Sequence, residues 1–327
     1  MSADGGTKAI VAALGANLGI AVSKFVAFVF TGSSSMLAES IHSIADSGNQ
    51  ALLLLGKKRS QRGRTAEHPF GFGRERYFYA FIVALVLFTV GAVFSLYEGI
   101  HKIQHALAHP EEKLDSPAWA FGVLSMAIVL ECFSFRTAIV ESNRVRGEQT
   151  WTQFIRKSKS PELPVVLLED LGALVGLILA LAGVTLAVVT EDVVWDGIGT
   201  VCIGVLLALI AVVLAFETKS LLLGEGAGPE VEKGMIEALE SVPEVDRVIH
   251  LRTQYIGPEE LLVAAKIAVD HDDTAAEIAK GIDAAEAKIR GMLPVATLIY
   301  LEPDLYREPA PVAEPASAAA EDAAVKD

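Results

Sequence analysis

The sequence predicts a membrane all-α bundle of six helices followed by a cytosolic α+β domain of α-β-β-α-β order, of the ferredoxin-like or metallochaperone-like kind. Three observations carry this. The mean hydropathy is +0.44. Of the 327 residues 52% are hydrophobic, more than a soluble domain of this length carries. Six apolar stretches are long enough to cross a hydrocarbon core, and after Gly224 the pattern changes to short amphipathic runs.

Crossing the core takes about 20 helical residues, and apolar stretches of that order run over 9–31, 35–55, 77–100, 119–140, 164–189 and 193–216. Lys57, Lys58, Arg59, Arg62, Arg64, Arg74 and Arg76 fill the connection between the second and third spans. Arg144, Arg146, Arg156, Lys157 and Lys159 fill the one between the fourth and fifth. Cytosolic loops hold such excesses of Lys and Arg, so both connections and both termini are expected in the cytosol of a multi-pass cell-membrane protein. The opposite loops, 32–34, the stretch with Glu111, Glu112 and Asp115, and the turn at Glu191 and Asp192, are poor in Lys and Arg. No basic region precedes the first apolar run, which is expected to be a span rather than a secretory signal. The net charge of −14, with acidic residues gathered in the last third, excludes nucleic acid as a partner. Cys132 and Cys202 fall inside apolar runs, where they are expected as small buried residues and not as a disulfide framework.

Beyond the last span, Val231, Met235, Ile236, Leu239 and Val242 form a helical stripe, and 248–255 and 261–269 read as strands. Ile278, Ile282, Ala285 and Ile289 mark a second helix, and 296–301 a closing strand. The expected domains are a transmembrane domain over 1–222, a cytosolic C-terminal dimerisation domain over 223–306 and a disordered tail over 307–327, rich in Ala, Pro and Glu. A unit of about 80 residues lies near the lower limit for independent folding, which dimerisation would relieve.

The second span carries the chemistry. Glu39, His42, Asp46 and Asn49 follow one another at steps of three, four and three residues, which places them on one face of an otherwise apolar helix. Each ionisable group at mid-membrane costs about 2.5–3.5 kcal/mol on insertion scales, and a bound cation offsets that cost. His42 and Asp46 are one turn apart, so an imidazole nitrogen and a carboxylate oxygen can meet on one ion and leave a tetrahedral metal two ligands short. The fifth span offers Glu169 and Asp170 beside Gly172 and Gly176, a GxxxG pattern that permits close helix approach. The competing reading is that the stripe hydrogen-bonds neighbouring helices while Glu169 and Asp170 lie at a helix end in interfacial water.

Other signals are weaker. His101, His105 and His109 share a face at four-residue intervals as the third span ends; they are expected to be solvated outer-loop residues, with metal capture the alternative. Lys24 and Glu131, lone charges in the first and fourth spans, read as structural, pairing or snorkelling outward. The second basic connection could also bind anionic lipid, although topology already accounts for its charge.

Asn17 with Lys24, the turn Thr31-Gly32-Ser33, the run Ser40-Ile41-His42-Ser43-Ile44-Ala45-Asp46-Ser47, the loop His68-Pro69-Phe70-Gly71-Phe72-Gly73-Arg74 and the run Trp195-Asp196-Gly197-Ile198-Gly199 together resemble the cation diffusion facilitator family of metal/proton antiporters, from Asn17 to Glu302. The resemblance implies a Y-shaped homodimer, alternating access, a transport site between the second and fifth spans, and metal moving outward against protons. His42 and Asp46 match the His-x-x-x-Asp of the family's zinc members. Four residues before Asp170, where a His or Asp is expected, stands Val166, which is similar to a divergent branch that includes the mitochondrial zinc exporters. One His with three carboxylates is a harder donor set than two of each, so manganese and iron stand as alternatives to zinc. Tyr300, Leu301 and Glu302 replace the His and Asp of the zinc-regulated members near the closing strand, and the domain is expected to act as a dimer clasp.

The expected function is therefore that of a secondary transporter, not an enzyme, exporting a divalent metal in exchange for protons. His42, Asp46, Asp170 and Glu169 would hold the metal, with Glu39, Asn49 and Asn17 supporting residues or part of the pathway. The expected partners are the divalent metal, protons, the lipid bilayer and a second copy of the chain, with no permanently bound cofactor. No His-Glu-x-x-His occurs, which disfavours a metal hydrolase; a non-transporting membrane metal sensor is the alternative of another class.

Overall fold

A computed structural model describes residues 4–31, 34–111 and 117–307, and in the first two helices the side chains at 7–26, 29, 43, 44 and from 46 onward. Helix α1 (Asp4–Thr31) is followed by α2 (Ser34–Ser60) and α3 (Glu75–Val86). A π-helical segment, Leu87–Val93, joins α3 to α4 (Phe94–Ala108) without a break, then come α5 (Pro117–Arg146), a short α6 (Trp151–Lys157), α7 (Glu162–Thr190) and α8 (Val194–Leu223). Among the described residues five helical stretches are long and apolar enough to cross a membrane: Thr7–Val26, Glu75–Ala108, Pro117–Arg146, Glu162–Thr190 and Val194–Leu223. With 27 residues α2 has the length, but its polar stripe sets it apart from those five, so the count of six remains an expectation from sequence.

The apolar core draws on seven helices, including Ile10, Leu53, Val83, Ala138, Phe154, Val166 and Leu214. Val166 is 0% exposed, so the position where the family pattern calls for a ligand is packing surface. Glycines set the helix crossings. A Cβ on Gly99 would lie 2.7 Å from the Val201 backbone nitrogen, and one on Gly204 2.8 Å from that of Leu96, so α4 and α8 meet backbone to backbone. Gly172 and Gly176 face Ile210 and Ile203 of α8, so the close approach that the GxxxG pattern permits is the α7–α8 contact. Cys132 and Cys202 are both exposed, contrary to the expectation of burial: they sit on outward faces of α5 and α8, where any apolar side chain is tolerated against lipid.

The loop cations are largely engaged. Arg76 grips Glu162 through two parallel hydrogen bonds, with side-chain exposures of 10% and 3%, and ties the start of α3 to the start of α7. Arg144 pairs with Glu141 at 2.6 Å, Arg156 with Glu217 at 3.6 Å, and Lys159 with Glu225.

The described chain divides into two compact units, one up to Gly226 together with Gln254–Leu261, the other Ala227–Thr253 together with the residues from Leu262 on. Beyond α8 come α9 (Pro229–Glu240), β1 (Arg247–Gly257), β2 (Glu260–Ala268), α10 (Ala275–Met292) and β3 (Ala296–Asp304). The sheet order is β1-β2-β3. A two-residue turn makes β1 and β2 a hairpin, and Val269 N–H donates to the Asp304 carbonyl at 3.1 Å, so β2 and β3 run the same way with α10 as their crossover. Strand β2 alternates up to Ile267, with Leu261, Val263, Ala265 and Ile267 buried, and Met235, Leu239 and Ile289 are 0% exposed on the helices. The tail expected to be disordered lies outside the described residues from 308 on.

Thr274 opens α10 with a capping box: its hydroxyl accepts from the Glu277 N–H, and its own N–H donates to Glu277 Oε2 at 2.9 Å. The Thr274 hydroxyl also donates to Glu277 Oε2 at 2.7 Å, and this bond, with the one from the Thr274 backbone N–H, holds the Glu277 carboxyl below its ordinary range. A depressed carboxylate contributes stability above its unfolded pKa and loses it as the pH falls through the folded one.

Two outcomes follow from this architecture. Gly99→Leu should cost about 1–3 kcal/mol by overpacking and lower the melting temperature of the detergent-solubilised protein, whereas Gly15→Leu, with open space beside it, should not. Thr274→Ala should reduce hydrogen-exchange protection in the first turn of α10 at neutral pH, with the deficit narrowing as the pH drops below the carboxylate range; an unchanging deficit would contradict the Glu277 half of the cap.

Candidate functional site

The backbone of α2 carries Glu39, His42, Asp46 and Asn49 on successive turns, as the spacing requires. The side chains of Glu39 and His42 lie outside the described residues. Asp46 is half-buried, and Asn49 and Gln50 are buried at 1% and 0% exposure.

Opposite them, α7 presents Glu169 at 7% and Asp170 at 2% exposure. These adjacent residues diverge by about 100° around their helix and turn to different neighbours. Glu169 Oε1 accepts from Asn49 Nδ2 and Oε2 from Gln50 Nε2, each at 2.9 Å, so both carboxylate oxygens are held by amides of α2. Gln50 Oε1 in turn accepts from Asn17 Nδ2 of α1 at 3.3 Å. Asp170 Oδ2 accepts from Ser134 Oγ of α5 at 2.7 Å. The interfacial-water reading of Glu169 and Asp170 is thereby excluded, while the stripe does hydrogen-bond its neighbours.

Lys24 and Glu131 do not pair. Lys24, 9% exposed on α1, donates from Nζ to Ser43 Oγ at 3.1 Å, one turn before Asp46. Glu131, 2% exposed on α5, faces Asp170, Glu169 and Asp46 within Coulombic reach. The interior thus gathers carboxylates from three helices. Leaving an ionised carboxylate in an apolar interior without a cation or donors costs several kcal/mol, on the order seen for broken buried pairs. Among the described residues no three His, Cys, Asp or Glu side chains converge tightly enough to hold a metal ion.

The remaining motif residues make packing, ion-pair and loop contacts. Asp196 pairs with Lys102 at 2.9 Å, joining α8 to α4, and a Cβ on Gly197 would lie 3.0 Å from the Ile103 nitrogen. In the loop over 68–74, Gly71 takes φ +84° and the His68 and Phe72 rings lie 4.5 Å apart. His101, His105 and His109 are exposed, and the rings of the last two stack at 4.6 Å.

Comparison with known proteins fits this interior. Residues 10–223 match the family described as the cation efflux transmembrane domain, and residues 227–304 the cation efflux protein cytoplasmic domain. The chain belongs to the cation efflux family. Its members are transporters and not enzymes. This cation efflux protein is 32% identical over 249 residues to a mouse (Mus musculus) protein named proton-coupled zinc antiporter SLC30A9, mitochondrial, covering 76% of this chain and 43% of that one. It is 27% identical to metal tolerance protein C4 of Arabidopsis thaliana, covering 80% of this chain and 56% of that one. It is 26% identical to the magnetosome protein MamM of Magnetospirillum gryphiswaldense, covering 80% and 76%. The chain therefore spans less than half the length of its SLC30A9 relatives. Among solved structures, a MamM C-terminal domain with one His-to-Ala substitution matches at 27% identity, covering 25% of this chain and all of that one, with a TM-score of 0.24.

Sequence reasoning did not find Gln50, Ser134 or the placement of Glu131. The signal for the last two was present: Glu131 and Ser134 are polar positions three apart on an apolar span and so share a face.

In a double-mutant cycle of Gln50→Leu with Glu169→Leu, the coupling in unfolding free energy should be about 1.5–3 kcal/mol, the range for a hydrogen bond to a charged group. Zero coupling would mean that the amide clamp does not hold α2 to α7.

Proposed function

We propose that this protein is a secondary transporter that moves a divalent transition metal, zinc first, out of the cytoplasm in exchange for protons. The observation that carries this reading is the burial of Glu169 against the polar stripe of α2, with Asp170 buried beside it, inside an apolar bundle. A cation crossing there meets oxygen donors at the depth where water is excluded. His42 and Asp46 from α2, with Asp170 and Glu169 from α7, are the proposed metal-holding residues. Glu39, Asn49 and Asn17 support them or line the approach. His42 coordinates metal only as neutral imidazole and takes up a proton when the site empties, which couples the two fluxes.

The name of the SLC30A9 relatives, proton-coupled zinc antiporter, supports both the ion and the coupling. Zinc over manganese or iron rests on His42; the harder carboxylate set and the apolar Val166 favour the alternatives. Residues 1–222 would form the transport unit, with 223–306 holding two copies together as a dimer clasp and 307–327 as a tail. Both termini would lie in the cytosol of a cell-membrane protein, a reading that the Lys- and Arg-rich connections support.

Purified protein in proteoliposomes with an imposed pH gradient should accumulate zinc, and His42→Ala combined with Asp46→Ala should abolish flux. Wild-type vesicles that bind zinc, manganese or iron but move none would contradict transport and favour a membrane metal sensor.

A further inference from the structure

We infer that Lys24 is the resident counter-cation of the transport site: its ammonium offsets the buried carboxylates when the site is empty and, by repelling the incoming ion, keeps metal affinity low enough for release. This rests on the reading of the chain as a metal transporter with a site at His42 and Asp46. It assigns to α1 the residue that sets how tightly that site holds its cargo.

A lysine in a spanning helix ordinarily snorkels, laying its methylenes along the apolar surface and its charge at the bilayer surface. Lys24 does otherwise. It is 9% exposed, and its Nζ donates to Ser43 Oγ of α2 at 3.1 Å. Ser43 is itself buried, and its carbonyl accepts from the buried Ser47 Oγ at 3.0 Å, so the ammonium ends on a polar patch of α2 inside the bundle. A serine hydroxyl positions an ammonium but carries no charge to balance it.

A second contact between the same two helices fixes the level at which this happens. Asn17 Nδ2 of α1 donates to Gln50 Oε1 of α2 at 3.3 Å. This contact and the one from Lys24 to Ser43 lie seven residues apart on each helix, so both belong to one antiparallel register. In that register Asp46 falls opposite Ala21, between the two contacts. Ser43 is one residue from His42 and three from Asp46, a rise of about 1.5 Å and about 4.5 Å along the helix axis. Lys24 therefore brings its charge to the level of the proposed metal pair. Ala21, buried at 3%, has no polar side chain, and Ser23 is turned back onto the Gly19 carbonyl of its own helix at 2.8 Å, so the charge that α1 contributes here is that of Lys24.

The consequence is electrostatic. In an interior of low effective dielectric, a unit charge one helical turn away acts far more strongly than in water. Buried carboxylates without a cation are costly, and Lys24 supplies one that stays when the metal has gone. A divalent ion arriving beside it meets like charge, which weakens binding and speeds departure. Passage of an ion requires that balance, because a site that holds its ion too tightly does not pass it on.

Zinc titration of the full-length protein in detergent, with zinc flux in proteoliposomes, tests this in Lys24→Met, Lys24→Gln and Lys24→Arg. Both neutral variants should bind zinc about tenfold more tightly than the wild type, or tighter still, and carry less flux at saturating zinc. Lys24→Arg keeps the charge and should stay within about threefold of wild-type affinity. A packing role alone gives no such split between affinity and flux, and unchanged or weaker binding in the neutral variants would overturn the proposal. If the neutral variants do not fold without metal, zinc during purification or the added substitution Asp46→Asn should recover them, since either restores the charge balance; recovery by neither would overturn the proposal too. Wild-type affinity and flux in both neutral variants would refute the counter-cation and keep the transporter. A wild type that neither binds nor moves zinc would overturn both.

Discussion

The hydrogen bonds that carry Glu169 into the bundle interior are the constraint on which the rest depends. A carboxylate cannot be buried in an apolar helix pack without donors, and here Asn49 and Gln50 supply one to each oxygen. This fixes α7 against α2, and Gln50 passes the restraint on to Asn17 of α1. Asp170, the next residue, is then directed toward α5 and Ser134. One pair of adjacent acidic residues thereby sets the mutual register of four helices, and it does so at the depth where Asp46 faces inward.

The other end of the same design is apolar and glycine-based. Val166 lies one turn before Asp170 in the packed core, with Ile10, Leu53 and Leu214. Gly172 and Gly176, beyond the carboxylates, bring α8 against the back of α7. The carboxylates are held from both sides of the helix, by hydrogen bonds in front and by close packing behind. Arg76 with Glu162 fastens the end of α7 where it enters the bundle.

The polar stripe of α2 was legible because four polar residues at helical spacing stand out in an apolar helix, and the second unit because its helices and strands differ in period. Partners distant along the chain were not: Asn49 and Glu169 are 120 residues apart, and nothing in their local context pairs them. The GxxxG pattern announced a close contact without saying with which helix. The surroundings of Glu131 were not legible either, because a lone charge in one dimension shows neither its exposure nor its neighbours. The cysteines misled for a related reason, since lipid-facing and core-facing positions of a spanning helix are equally apolar. The π-helical segment over Leu87–Val93 left no trace in hydropathy, because inserting one residue into an i→i+4 ladder changes geometry and not composition.

The central claim, that the buried carboxylates exist to hold a passing metal, is tested most directly by locating the metal. Anomalous scattering from crystals of the zinc- or manganese-loaded protein should place an ion between α2 and α7 at the level of Asp46 and Asp170, bound by oxygen and nitrogen donors. An ion found only at the exposed His101, His105 and His109, with the interior carboxylates empty at saturating metal, would contradict the account.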